Sequence, residues 1–136
     1  MKGLLADINL VGQATQLVIE HLRSNRWQEV WLGLNLTVFT FADVGLAARA
    51  SDADVWQLCQ LQELVLLTGN RNQDGPDSLE ATIRTHNTPT CLPVFTVADS
   101  EQMRRSPAYR ERIAIRLLEY LQDIEQLRGT GRLFLP

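Results

Sequence analysis

Short apolar runs alternate along this chain with stretches whose apolar residues recur every three or four positions. The runs are Gly3 to Ile8, Leu36 to Phe41, Leu64 to Leu67 and Leu92 to Val97. Leu64 to Leu67, a continuous apolar run bounded by turn residues, predicts a strand buried on both faces of a parallel sheet, and Leu36 to Phe41, alternating β-branched and aromatic residues, predicts a second strand. Gln13 to Arg23 carries Ala14, Leu17, Val18 and Leu22 at helical spacing, and Arg26 to Leu34 places Trp27, Val30, Trp31 and Leu34 in the same way. Ser51 predicts the cap of a third helix, which presents Val55, Leu58, Cys59 and Gln62 on one side. Asp77, with Glu80 three residues on, predicts the cap of a fourth that runs to about Thr85. Asp99 caps a short helical turn, and Ser106-Pro107 opens a long helix striped by Tyr109, Ile113, Leu117, Tyr120, Leu121, Ile124 and Leu127. Gly129 is its predicted C-cap, and Arg132 to Leu135 a last strand at a sheet edge. The alternation predicts an α/β fold with a central, mainly parallel sheet. It forms one domain over residues 1–136, with residues 99–136 a helix and edge-strand extension.

Composition narrows the class without naming it. A chain of 136 residues suits one domain with a real core. No apolar run is long enough to span a membrane, and no basic stretch leads an apolar one at the N-terminus, which predicts a cytoplasmic protein with no membrane partner. Two cysteines, Cys59 and Cys91, are too few for a disulfide framework and read as small buried hydrophobes. The net charge of −3 argues against general polyanion binding. Residues 99–136 are the less acidic part, with Arg105, Arg112 and Arg116 off the apolar stripe as a solvated face. His86 reads as a favourable charge at a helix end, and the tryptophans read as core or contact residues.

The chemistry concentrates after the apolar run at Leu64. Gly69, Asn70, Asn72, Asp74, Gly75 and Pro76 form a dense loop signal. In open α/β sheets, ligands bind beyond the carboxyl ends of the strands. Asp7, Asp43, Asp52, Asn70, Asn72, Asp74 and Asp99 all fall near predicted strand ends, which parallel strands bring to one side. For Asp52 and Asp54, stabilisation of a helix N-terminus is by itself a sufficient reason. Carboxylates gathered at one place repel each other, and a hard dication such as Mg²⁺ or Mn²⁺ relieves that repulsion. A pair of such ions supports in-line phosphodiester displacement. No Gly-x-Gly-x-x-Gly follows the first strand, and neither a Gly-Lys-Ser/Thr loop nor a serine elbow is present.

Four segments carry a resemblance to a known family: Leu4 to Leu10, Asp43-Val44-Gly45-Leu46, Ser51 to Val55, and Leu66 to Asn72. Together they resemble the PIN-like nuclease domains, in the short variant with an Asp-x-Asn first motif. The resemblance covers about residues 3 to 75, and the rest looks like an elaboration of this protein's own group. It implies a three-layer α/β/α fold around a parallel sheet and a Mg²⁺- or Mn²⁺-dependent ribonuclease. Many such nucleases are toxins, which implies RNA as substrate and an antitoxin-type protein partner. Asp7 matches the first acid, Asp52 the acid of the middle motif, and Asp43 an Asp-x-Gly-Leu element before it. The metal set so implied is Asp7, Asp43, Asp52 and Asn70, and the catalytic set Asp7, Asp52, Asn70 and Asn72. Where the family has Thr-x-Asp-x-Asp, this chain has Thr68-Gly69-Asn70-Arg71-Asn72. Each amide removes one unit of charge, which leaves open a weak metal site, recruitment of Asp74 or Asp99, or lost catalysis.

Three functions follow. The first is a metal-dependent RNase. The second is a non-catalytic PIN-like module that binds RNA or a protein through the same cleft, favoured by the two amides. The third is an interaction protein, with Trp27, Trp31 and the edge strand building a homodimer.

Overall fold

A computed structural model describes residues 1–24, 26–71 and 75–136, leaving aside the side chains of Val18 and Ile19. Five parallel strands form one sheet: β1 (Gly3–Ala6), β2 (Thr37–Phe39), β3 (Leu64–Thr68), β4 (Val94–Val97) and β5 (Arg132–Leu135), in the order β2-β1-β3-β4-β5. The helices are α1 (Val11–Leu17), α2 (Gln28–Leu34), α3 (Asp52–Leu61), α4 (Leu79–His86), α5 (Ser100–Arg105) and α6 (Pro107–Gln122). Short 3-10 turns span Ile8–Leu10, Ala42–Val44 and Ile124–Leu127, and a wider π turn continues α1 over Val18–Leu22. Among the described residues no helix is long and apolar enough to cross a membrane.

The period-2 alternation of strand side chains divides the core in two. Leu4, Ala6, Val65, Leu67, Phe95 and Val97 face α1, α2 and α6, meeting Ala14, Leu17, Trp31, Ile113 and Leu117. Leu5, Leu64, Leu66 and Val94 face the other way, onto Val55, Trp56 and Cys59 of α3 and Leu79 and Ile83 of α4. This is the three-layer α/β/α arrangement, and it explains why β1, β3 and β4 are buried throughout: a strand with helices on both faces has no polar side to show. Gly3 is required where β1 meets β2, since a Cβ there would come 2.1 Å from the Thr37 carbonyl oxygen.

Several boundaries differ from the sequence expectation. The first strand ends at Ala6, not Ile8, because the chain turns at once into the 3-10 segment. The second spans Thr37–Phe39 alone, and Phe41 instead leads the next 3-10 turn. The cap of α4 is Ser78 rather than Asp77: its hydroxyl accepts from Ala81 N at 3.1 Å. The long helix stops at Gln122, and Gly129 lies beyond the 3-10 turn that follows, at φ +86°. Ser51, Asp99 and Ser106 do cap α3, α5 and α6, each accepting an amide N–H three residues on. Trp31 is core, Cys59 is buried and Cys91 half-buried. Arg105, Arg112 and Arg116 are exposed, as a solvated face requires.

Strand order decides where a ligand can go. From β1 the chain moves outward to β2, then crosses back to β3 and proceeds to β4 and β5. Connections therefore leave β1 and β3 in opposite directions, which opens a crevice beyond their carboxyl ends. Asp7 follows β1 directly, and Thr68-Gly69-Asn70 closes β3.

Candidate functional site

A cleft of about 440 Å³ opens at that point. Its polar lining is Asp7, Asn9, Asp52, Thr68, Asn70 and Ser100, set against apolar walls that include Leu10, Phe41, Val55 and Leu66. Among the described residues that line it, two are carboxylates and none is Lys, Arg or His, so the cleft is acidic. An isolated anion is repelled there; a cation is attracted.

Asp7 is held from two directions. Its backbone N–H donates to the Leu67 carbonyl at 2.9 Å, prolonging the β1–β3 ladder by one residue. Its Oδ2 accepts from the hydroxyl of fully buried Thr68 at 2.5 Å, a short bond typical of a hydroxyl to a charged acceptor. The same hydroxyl oxygen accepts from the Asn70 backbone N–H at 2.9 Å. Asn70, Thr68 and Asp7 thus form one hydrogen-bonded chain, in which each bond polarises the next.

Asp52 arrives from the other core. It is the first residue of α3, behind the Ser51 cap, and the helix N-terminus there favours its negative charge. Its Oδ2 accepts from Asn70 Nδ2 at 3.2 Å. Asn70 is therefore the hub of the cleft: its backbone reaches Asp7 through Thr68, and its side chain reaches Asp52. Gly69 leaves room for the Ser100 hydroxyl in its present rotamer, since a Cβ at that position would stand 2.1 Å from Ser100 Oγ. Behind the site, burial pushes the Cys59 thiol up to about 12, with the Asp7 charge adding to the effect, so the thiol stays neutral.

Asp7, Asp52 and Asn70 are brought together. Asp43 is not: it is exposed, outside the cleft, and its carboxylate accepts the Thr40 N–H at 2.8 Å while Thr40 Oγ1 accepts the Asp43 N–H at 3.3 Å. That reciprocal pair closes the bend that leads from Thr40 into the 3-10 turn Ala42–Val44, a structural role that accounts for the acid. Asp99 likewise serves α5, accepting from Gln102 N at 3.0 Å. Asn72 and Asp74 lie outside the described residues. Among the described residues no three His, Cys, Asp or Glu side chains are grouped to hold an ion.

Sequence reasoning missed Ser100, Phe41 and Arg132. Ser100 and Phe41 line the cleft from α5 and from the end of the β2 segment. Arg132 opens β5 and donates from Nη1 to the Asn70 carbonyl at 2.8 Å. No local pattern marks any of them, since strand order alone brings Ser100 and Phe41 to the cleft and Arg132 to the Asn70 carbonyl.

No family model, curated protein or solved structure matches this chain. Its class is accordingly set by fold and cleft: a doubly wound α/β domain with an acidic crevice at the switch in strand order.

Proposed function

We propose that the protein is a PIN-like, divalent-cation-dependent ribonuclease whose cleft holds a single Mg²⁺ or Mn²⁺. The observation that carries this reading is the meeting of Asp7 and Asp52 in a cleft lined, among the described residues, by no basic one. A phosphodiester enters such a cleft only with a cation to bridge it to the carboxylates. The donors fit one ion better than two. Mg²⁺ is usually held through one or two carboxylates and completes its octahedron with water and substrate phosphate oxygens. Asp7 and Asp52 supply the charge; the carbonyl of the Asn70 amide is a neutral donor.

A bound ion supplies Lewis acidity at the phosphoryl oxygen and activates water for attack. The chain's own residues do the rest. Thr68 holds the Asp7 carboxylate in one orientation, and the Asn70 amide does the same for Asp52. A carboxylate oxygen of Asp7 or Asp52 accepts the proton of the attacking water. The new P–O bond forms from that water, the scissile P–O bond breaks, and the leaving oxygen takes up a proton from solvent. Phe41 and Leu10 keep the inner wall of the cleft apolar.

A second reading has its own observation. The hydrogen bond from Asn70 to Asp52 relieves part of the crowding of charge without any ion. That favours a cleft that does not cut and binds an antitoxin-type protein partner, or RNA by its uncharged base edges with the phosphates kept outside. Titration with Mn²⁺ by calorimetry, followed by cleavage of single-stranded RNA, separates the two. Saturable binding with cleavage supports the nuclease; a wild type that binds RNA but neither Mn²⁺ nor cuts supports the module.

A further inference from the structure

The loop that carries Asn70 has no ladder of its own. β3 ends at Thr68, and residues 69–71 belong to no helix or strand. Contacts from outside the loop must set the position of the Asn70 backbone, and among the described ones is a tether from a residue 62 positions further on. The Arg132 side chain is only 8% exposed. Its Nη1 donates to the Asn70 carbonyl at 2.8 Å and to Thr96 Oγ1 at 2.7 Å, and its Nε donates to Glu80 Oε2 at 3.0 Å. One planar guanidinium so joins the loop after β3, strand β4, strand β5 and helix α4.

A buried guanidinium is costly unless its charge is paired and its N–H groups find acceptors. Glu80 supplies the paired charge, Thr96 an acceptor fixed by the sheet and Asn70 the acceptor in the loop, while the buried Nη2 meets no acceptor among the described residues. The direction of the fork then dictates where the Asn70 carbonyl lies. The Asn70 carbonyl belongs to the peptide that follows the residue and its N–H to the peptide before it; Arg132 holds the first and Thr68 the second, so the backbone is pinned on both sides of the Cα from which the side-chain amide reaches Asp52. Arg71 provides a weaker second tether from an exposed side chain, whose Nη1 donates to the Ala98 carbonyl at 2.8 Å.

We infer that Arg132 is a positioning residue for the cleft, acting through Asn70 and not on any substrate. Its effect on cation affinity rests on the reading of the cleft given above; its effect on the Asn70 side chain does not. Lysine cannot replace it, because a single ammonium on a flexible stem cannot span Glu80, Thr96 and Asn70 together.

The test measures two quantities on the full chain: the side-chain amide resonances of Asn70 by NMR without metal, and Mn²⁺ affinity by calorimetry. Arg132→Lys and Glu80→Gln are expected to move the Asn70 amide signals toward free-amide positions and speed their solvent exchange. Mn²⁺ affinity should fall by about tenfold or more, the usual effect of losing an outer partner of a metal ligand. Arg128→Gln is the control. It breaks an ion-pair cluster with Glu63 and Glu125 at the opposite end of the sheet, so it lowers the melting temperature but leaves the Asn70 amide in place. If Arg132→Lys does not fold, Thr96→Val and Glu80→Gln remove single contacts of the fork and decide the matter. Unchanged Asn70 signals in these folded variants overturn the inference. A wild type that binds no Mn²⁺ overturns the cation reading instead, while the NMR arm still judges Arg132.

Discussion

Asn70 Nδ2 donates to Oδ2 of Asp52 across 3.2 Å, joining the loop after β3 to the first residue of α3. This contact crosses from one strand end to a helix on the far face of the sheet. It also puts a neutral donor where a carboxylate would face Asp52 at close range. The amide thereby allows two acids to share a partly buried cleft in the free protein, at the cost of one unit of attraction for a dication.

The first prediction reverses that exchange. Asn70→Asp replaces the donor with a charge directed at Asp52. Like charges at that distance in a cleft disfavour the folded state, so the variant should melt below the wild type without metal. Added Mn²⁺ should more than restore it, because a ligand that binds only the folded state stabilises it by mass action. Thermal melting with and without Mn²⁺ checks both signs. A variant that melts lower and shows no response to Mn²⁺ would remove the cation from the account of this cleft.

Asp7 and Asp52 should be indispensable to the ion. Asp7→Asn keeps the shape and still accepts from Thr68, but removes one of the two charges that the described residues bring to the cleft. Asp52→Ala removes the other and leaves the Asn70 amide without its acceptor. Each is expected to abolish measurable Mn²⁺ binding by calorimetry and with it any cleavage of single-stranded RNA. Cleavage that survives in Asp52→Ala belongs to another part of the molecule or to a contaminant.

Thr68→Val tests the support of Asp7. The hydroxyl is fully buried and bonds both the Asp7 carboxylate and the Asn70 N–H. Valine keeps the volume and β-branching but leaves both groups without that partner. The expected loss is about 1–3 kcal/mol in urea denaturation, the range for stranding a buried polar group. Cation affinity should fall too, since the carboxylate is no longer held in one orientation.

Acid should act at a second, remote pair. Arg110 is 4% exposed, and its Nε donates to Glu20 Oε2 at 3.1 Å while its Nη1 donates to the Met103 and Arg104 carbonyls at the end of α5. Burial of Glu20 opposes its ionisation, but the hydrogen bonds from Gln16 and Arg110 and the Arg110 charge outweigh it, holding the carboxyl below its ordinary range. A depressed carboxyl pKa stabilises the fold above the unfolded value, and that stabilisation is lost as pH falls through the folded one. Wild-type stability should therefore drop below about pH 4, where free carboxyls begin to protonate. Glu20→Gln should start lower and fall less steeply across the same window. Parallel curves for the two proteins would place the acid sensitivity elsewhere.

Much of the fold was legible because it is written locally. A strand covered on both faces must be apolar throughout, so the runs that hold Leu4 to Ala6, Leu64 to Leu67 and Val94 to Thr96 could be read directly as strands of a mainly parallel sheet. Ser51, Asp99 and Ser106 mark helix starts because a side-chain oxygen must satisfy an amide only three residues away. The placing of Asp7, Asp52 and Asn70 at element ends was equally legible, and their meeting followed once the strands were parallel. Local rules failed where two neighbours competed for one role. Ser78 caps α4 in place of Asp77, and Asp43 spends its carboxylate on the turn next to Thr40, outside the cleft. The tertiary structure alone decided strand order, and with it the crevice between β1 and β3, the choice of Asn70 as hub and the grip of Arg132 upon it. Those contacts join residues 18 and 62 positions apart. A hydrogen bond over such a distance leaves no periodicity and no spacing in the chain, because its two ends are brought together only by the packing of everything between them.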